Sequence, residues 1–309
     1  MPVMRAALSL LLLTLPISAN ADVRPDDLPA DTVWYLHADL GQMRSSDSGG
    51  QLYDWLDGEV MVEVTDEIGF DLNKEVDKIT AFSASDNGTV ILVEGNISKD
   101  TQQIVLDKAD DEGKLEEYEH KGRAYFHSYG HRDGDEDEDN EPLADLKDGG
   151  YFSFALKNRL LVTANENQML ELLDNNGKVA GTLTNPDALF VLTADKSFVQ
   201  AGLKTDDYHD DDDDWDSNII RNTDSAALMI SDFGGNIALE LQLVATDATV
   251  SQSLGGIVNG LLALQAFNSE LDPTIQTLIA NTKIDVDDKI LSINTVIAPE
   301  LIISALDND

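Results

Sequence analysis

Short runs alternating between apolar and polar residues recur along the chain. Each is set off by a turn-forming pair, which predicts strands joined as hairpins. Thr32 to Ala38 is the first run. Lys78 to Ser85 and Thr89 to Glu94 flank Asp86-Asn87-Gly88, where Asn and Gly tolerate positive φ. Leu115 to Glu119 and Arg123 to Tyr129 turn at Lys121-Gly122, and Tyr151 to Leu156 and Arg159 to Thr163 turn at Lys157-Asn158. In the second half Ala188 to Ala194 stands alone. Ala226 to Ser231 and Asn236 to Val244 flank Gly234-Gly235, and Ile284 to Val286 and Lys289 to Val296 flank Asp287-Asp288.

Between these runs the period changes to that of a helix. Leu56, Val60, Val64 and Ile68 recur at i, i+4 and predict a helix over Tyr53 to Ile68. Ser98 caps a helix running to about Lys108, and a helix from Asn165 stops at Asn176-Gly177. Asp247 to Phe267 is so densely apolar, with Leu254, Ile257, Val258, Leu261, Leu262 and Leu264, that it reads as buried on every side. Asp272-Pro273 and Pro299 open the last two helices. Hairpins with intervening helices, lacking regular βαβ alternation, predict the α+β class: mainly antiparallel sheet with helices packed on one face.

The pattern repeats. Asp31-Thr-Val-Trp-Tyr-Leu-His-Ala-Asp39 aligns with Asp187-Ala-Leu-Phe-Val-Leu-Thr-Ala-Asp195 at an offset of 156 residues. Lys157 to Thr163 followed by Asn167 to Asp174 is echoed by Asp288 to Asn294 followed by Glu300 to Asp307. Two echoes in the same order predict a duplication, with units at 22–180 and 181–309.

The chain resembles a diffuse group of secreted bacterial proteins of uncharacterised function with a duplicated α+β domain. The residues that carry this are the Thr32-Val-Trp-Tyr-Leu-His-Ala-Asp-Leu40 opening and Ile68-Gly-Phe-Asp-Leu72 leading to Lys78-Ile79. Val93-Glu-Gly-Asn-Ile97 and the Leu254 to Leu264 helix add to them. The resemblance implies the fold and an exported location, and brings no activity with it.

Composition sharpens the address and excludes some chemistry. Arg5, the apolar run Ala6 to Leu15, Pro16 and Ala19-Asn20-Ala21 predict a signal peptide over 1–21, and hence a periplasmic or extracellular protein. With no Cys among 309 residues, disulfides, thiolate metal sites and Cys nucleophiles are excluded. A net charge of −39, from 59 acidic and 20 basic residues, argues against nucleic acid and leaves a cationic or protein partner of the envelope. No G-x-S-x-G elbow, H-E-x-x-H pair or phosphate-binding glycine loop occurs in the sequence.

Two acidic inserts stand out, 131–148 in the first unit and 206–216 in the second. Asp133, Asp135, Asp137 and Asp139, with Asp210, Asp212 and Asp214, are candidate oxygen ligands for Ca²⁺, a hard cation that takes six to eight oxygens. The EF-hand pattern fails: counted from Asp133, the sixth residue is Glu138 where Gly is required, and the twelfth is Ala144 where Glu is required. His120, His127 and His131 lie directly before or at the start of the first insert, and His209 lies in the second. His127, His131 and His209 are therefore candidate ligands of a softer metal. His37, beside Asp39 on the first strand, reads as a half-buried strand residue.

The sequence thus predicts a non-enzymatic exported binding protein with low-affinity calcium capture by its acidic loops. The alternative is a metal-dependent hydrolase using the His120–His131 region. Replacing Asp210 to Asp214 with Ser is expected to lower Ca²⁺ binding in a calorimetric titration at constant ionic strength. Thermal stability in monovalent salt should stay unchanged or rise slightly, because like-charge repulsion is removed. Equal Ca²⁺ binding by both proteins would reduce these runs to solubilising loops.

Overall fold

The computed structural model describes residues 31–58, 72–84, 88–112, 114–129, 146, 149–179, 188–198, 222–266 and 273–306. β1 (Thr32–Asp39) is followed by α1 (Leu40–Ser45), α2 (Asp47–Leu56) and α3 (Leu72–Glu75). β2 (Lys78–Ala84) and β3 (Gly88–Glu94) lead to α4 (Lys99–Glu112). β4 (Leu115–His120), β5 (Arg123–Tyr129), β6 (Gly149–Ser153) and β7 (Arg159–Thr163) precede α5 (Glu166–Asp174). The second half runs β8 (Ala188–Asp195), β9 (Thr223–Phe233), β10 (Asn236–Ala245), α6 (Ala248–Ala266), α7 (Pro273–Asn281), β11 (Lys283–Asp287), β12 (Ile290–Ile297) and α8 (Pro299–Leu306).

All twelve strands belong to one sheet, ordered β11-β12-β10-β9-β8-β1-β2-β3-β7-β6-β5-β4. Every neighbouring pair is antiparallel. The expected hairpins are present. The turn between β4 and β5 places Lys121 and Gly122 at φ 51° and 80°, the left-handed pair a two-residue hairpin turn requires. The seam between the two halves is β1 on β8, with Leu36 opposite Leu192.

Val191 and Phe190 are neighbours on β8 and therefore point to opposite faces. Val191 packs in a core with Tyr35, Phe82, Val90, Leu92, Leu161 and Met229, covered by Met169, Leu172 and Leu173 of α5. Phe190 packs with Ala38, Ile79, Val93, Leu160 and Ile230 against α1, α2 and α8. Helices thus sit on both faces, where the sequence suggested one. The cause is α5: Met169 and Leu173 are completely buried, and on β7 Leu161 faces their side while Leu160 faces the other.

Local chemistry fixes the chain at three further points. Asp39, nearly buried, accepts a hydrogen bond from the Gln42 amide at 2.8 Å as the cap of α1, and it pairs with Lys78 at 2.5 Å. His37 donates to or accepts from Thr80 Oγ1 at 2.8 Å, and burial lowers its pKa. It is a half-buried strand residue, as its sequence context suggested. Gly95 lies so close to the chain before β2 that a Cβ there would meet the Glu75 carbonyl oxygen at 2.0 Å.

Two helix expectations change. The helix expected over 53–68 begins at Asp47, because Ser46 accepts from the Gly49 amide and caps it; residues 59–71 lie outside the described residues. Helix α6 is not buried all round: Ile257, Leu261 and Leu264 are 36%, 53% and 70% exposed. It lies at the β11 end of the sheet with Leu254 and Gly255 turned inward, where a Cβ on Gly255 would meet Val286 Cγ2 at 2.5 Å.

Candidate functional site

At the other end of the sheet, register decides which side chains meet. Glu116 stands opposite His127, Tyr118 opposite Tyr125, and His127 opposite Tyr151. Alternation then places Glu116, Tyr118, Tyr125, His127, Tyr129 and Tyr151 on one face of β4, β5 and β6, the face that carries α5. The rings form a connected set. Tyr118 stacks on Tyr125 with centroids 5.4 Å apart, and Tyr125 lies 6.4 Å from Tyr151. Tyr151 stacks on His127 at 4.3 Å with the planes 8° apart, and His127 lies 4.0 Å from Tyr129.

Carboxylates tie this set together. The Tyr118 and Tyr129 hydroxyls both donate to Glu116 Oε2, at 2.6 Å and 3.0 Å, and Lys114 donates to Glu116 Oε1. These donors hold the Glu116 carboxyl down at about 2, with the Lys114 contribution largest. The Tyr125 hydroxyl donates to Glu166 Oε1 at 2.5 Å; burial first, and this bond second, push its pKa up to about 12. Glu166 lies in the first turn of α5, where the helix dipole favours a negative charge. Tyr118 is raised by its bond to Glu116, and Tyr151 by burial. The Lys114 ammonium sits 5.2 Å from the centre of the Tyr129 ring.

The metal candidates fare differently. His120 Nε2 lies 2.9 Å from Asp174 Oδ1, a carboxylate that Lys121 also binds at 2.8 Å. His127 stacks on Tyr151 and lies against Tyr129 at a 54° tilt. Four residues of strand separate the positions of these two histidines, about 13 Å at ~3.3 Å per residue, so they do not share an ion. Among the described residues no group of three His, Asp or Glu side chains converges on a metal position. His131, Asp133, Asp135, Asp137, Asp139, His209, Asp210, Asp212 and Asp214 lie outside the described residues.

Sequence reasoning missed the tyrosines. The signal was the Tyr125, His127, Tyr129 spacing, which puts three rings on one face of a single strand. It also missed the uncharged outer face of the α6–α7 corner. Helices α6 and α7 contain no Asp, Glu, Lys or Arg. Ile257, Leu261 and Leu264 form a stripe at i, i+4 and i+7 on α6, and Ile275 on α7 is 39% exposed. Between α7, the end of β12 and α8 a cleft of about 400 Å³ is lined by Leu278, Val296, Ile297 and Leu301, with Asn236, Thr277 and Asn281. No helix among the described residues is long and apolar enough to cross a membrane.

The comparisons with known proteins place the fold and nothing more. No family model matches the chain, and no curated protein matches it. Among solved structures, TP0453 in its crystal form III aligns with a TM-score of 0.50 at 10% identity, covering 94% of this chain and 100% of that one. Its crystal form IV aligns at 0.48, with 10% identity and coverage of 93% and 97%. Crystal form I aligns at 0.45, with 11% identity and coverage of 93% and 98%.

Burial lowers the His127 pKa below 6.5, against the opposing pull of Glu116 and Glu166. A base with a depressed folded-state pKa contributes stability that is present above the unfolded pKa and lost as pH falls through the folded one. Between about pH 7 and pH 5 the wild type is therefore expected to lose more stability than a His127→Phe variant, read as the shift in urea midpoint. An equal loss in both proteins would show that His127 does not couple to folding.

Proposed function

We propose that this chain is an exported, non-enzymatic binding protein, periplasmic or extracellular, that docks a protein partner of the cell envelope. The observation that carries the reading is the exposed stripe Ile257, Leu261 and Leu264. It lies on a 19-residue helix without a single charge, in a chain of net charge −39. Elsewhere the chain surrounds itself with carboxylates; here two apolar surfaces can close without desolvating an ion. The absence of Lys and Arg from this corner favours a protein surface over an anionic lipid headgroup, which interfacial helices bind through basic residues.

The same reading keeps two related units, 22–180 and 181–309, after a signal peptide over 1–21. It is supported by Leu36 and Leu192, equivalent under the sequence repeat, standing opposite each other at the seam. The order of each half outward from that seam supports it further: β1-β2-β3-β7-β6 matches β8-β9-β10-β12-β11, with β5 and β4 as the extension of the first. Calcium capture by 131–148 and 206–216 is an accessory role in this proposal. The rival reading is a metal-dependent hydrolase using the His120–His131 region. With His120 and His127 about 13 Å apart along the sheet, its ligands would have to come from one of them together with His131 or the acidic insert, outside the described residues.

A photo-crosslinking side chain placed at Leu261 or Leu264 in the native host is expected to give one discrete protein adduct. The same group at exposed Glu171 on α5 should give none. Because both stripe positions are exposed, Leu261→Glu with Leu264→Glu should abolish partner capture while changing stability by only about 0.5 kcal/mol per site. Labelling of phospholipid alone, or of nothing, would contradict the docking reading. Turnover of a peptide, sugar or phosphoester substrate that a point mutation abolishes would contradict the non-enzymatic one.

A further inference from the structure

We propose that the ring set Tyr118, Tyr125, Tyr151, His127 and Tyr129, with Glu116, is a binding platform for an alkylammonium cation. The argument starts from geometry. Five rings touch in sequence across three strands, and Glu116 links the two ends by accepting from both Tyr118 and Tyr129. Tyr118 and Tyr129 are also the most open members, 36% and 39% exposed, so the set presents aromatic surface to solvent at the edge of the sheet.

Charge then selects the occupant. An aromatic face attracts cations through its quadrupole, and a hydroxyl that donates to a carboxylate leaves its ring richer in electrons. Three of the four tyrosines donate in this way, Tyr118 and Tyr129 to Glu116 and Tyr125 to Glu166. Burial disfavours the charged form of His127, so its ring joins the set in the form that adds no repulsion. The chain as a whole, at −39, draws cations toward every face, and this face gives them five connected rings with carboxylate-bonded hydroxyls, where the Phe126, Phe152 and Phe154 set offers three rings and no polar group.

The protein already places a cation there. Lys114 donates to Glu116 and holds its ammonium 5.2 Å from the centre of the Tyr129 ring. Lys114 is therefore an internal occupant, tethered just before β4, which a free alkylammonium group must displace from Tyr129. A competitor of this kind makes the site testable. Removing Lys114 should strengthen binding by freeing the ring and the carboxylate, whereas removing a distant lysine should change only the general field.

The experiment titrates choline chloride into the full chain against sodium chloride at matched ionic strength, following tyrosine and histidine ring resonances. Shifts are expected at Tyr118, Tyr129 and His127, with an affinity on the order of millimolar, as suits an exposed site. Lys114→Ala should tighten binding about three- to tenfold, the worth of one exposed ring–cation contact with its ion pair. Lys283→Ala, on the opposite edge strand, serves as the control for net charge and should change it less than twofold. Tyr129→Leu should weaken choline binding while the β2 and β3 resonances stay in place, which separates loss of the site from loss of the fold. Equal effects of the two lysine variants, or unchanged binding in Tyr129→Leu, would overturn the platform. The same shifts produced by a neutral sugar would overturn its preference for a cation.

Discussion

The pairing of β1 with β8 is the interaction on which the rest of the molecule depends. Trp34 to Ala38 lie against Ala194 to Phe190, and every other strand is added outward from this pair. Backbone hydrogen bonds alone would make a poor anchor, since their net worth is about 1 kcal/mol each. What makes this seam an anchor is that both of its faces are covered. Tyr35 and Val191 are 1% exposed on one side, while Leu189 is completely buried in the core of the other. Separating the strands would expose two cores at once.

From that centre outward, burial falls and chemistry changes. At the β4 end the shared face becomes aromatic and hydroxyl-rich, and its polar tips are consumed by Glu116 and Glu166. At the β11 end a helix without charges lies across the last strands and keeps one side unpartnered. The two edge strands themselves carry charge, Glu116, Glu117 and Glu119 on β4 and Lys283, Asp285 and Asp287 on β11, which blunts strand addition by another chain. The two proposed binding surfaces are therefore side-chain surfaces at the two ends of one sheet.

Most of the strands were legible because their signals are local. Lys121-Gly122, Lys157-Asn158 and Asp287-Asp288 mark hairpins by the turn they make, and the period-2 pattern on either side needs no knowledge of the rest of the chain. The cap at Asn176-Gly177 was legible for the same reason: Gly177 takes φ 70° and its amide bonds to Leu172 at 2.7 Å. The exposure of Leu261 and Leu264 was not legible, since composition says that a helix is apolar but only topology says it lies at the end of a sheet. Tyr118, Tyr125 and Tyr151 lie up to 33 residues apart and come together only through register across β4, β5 and β6. The helices on the second face escaped notice because β7 is apolar at Leu160, Leu161 and Val162, which hides the alternation.

Amide hydrogen exchange on the full chain, resolved by strand, tests the central claim most directly. If the β1–β8 seam organises the sheet, the amides of Trp34–Ala38 and Phe190–Ala194 should exchange together, among the slowest, with β4 and β11 opening well before them. Rapid exchange along β1 and β8 while β10 and β3 stay protected would contradict this, and would mean that two separately stable halves merely abut.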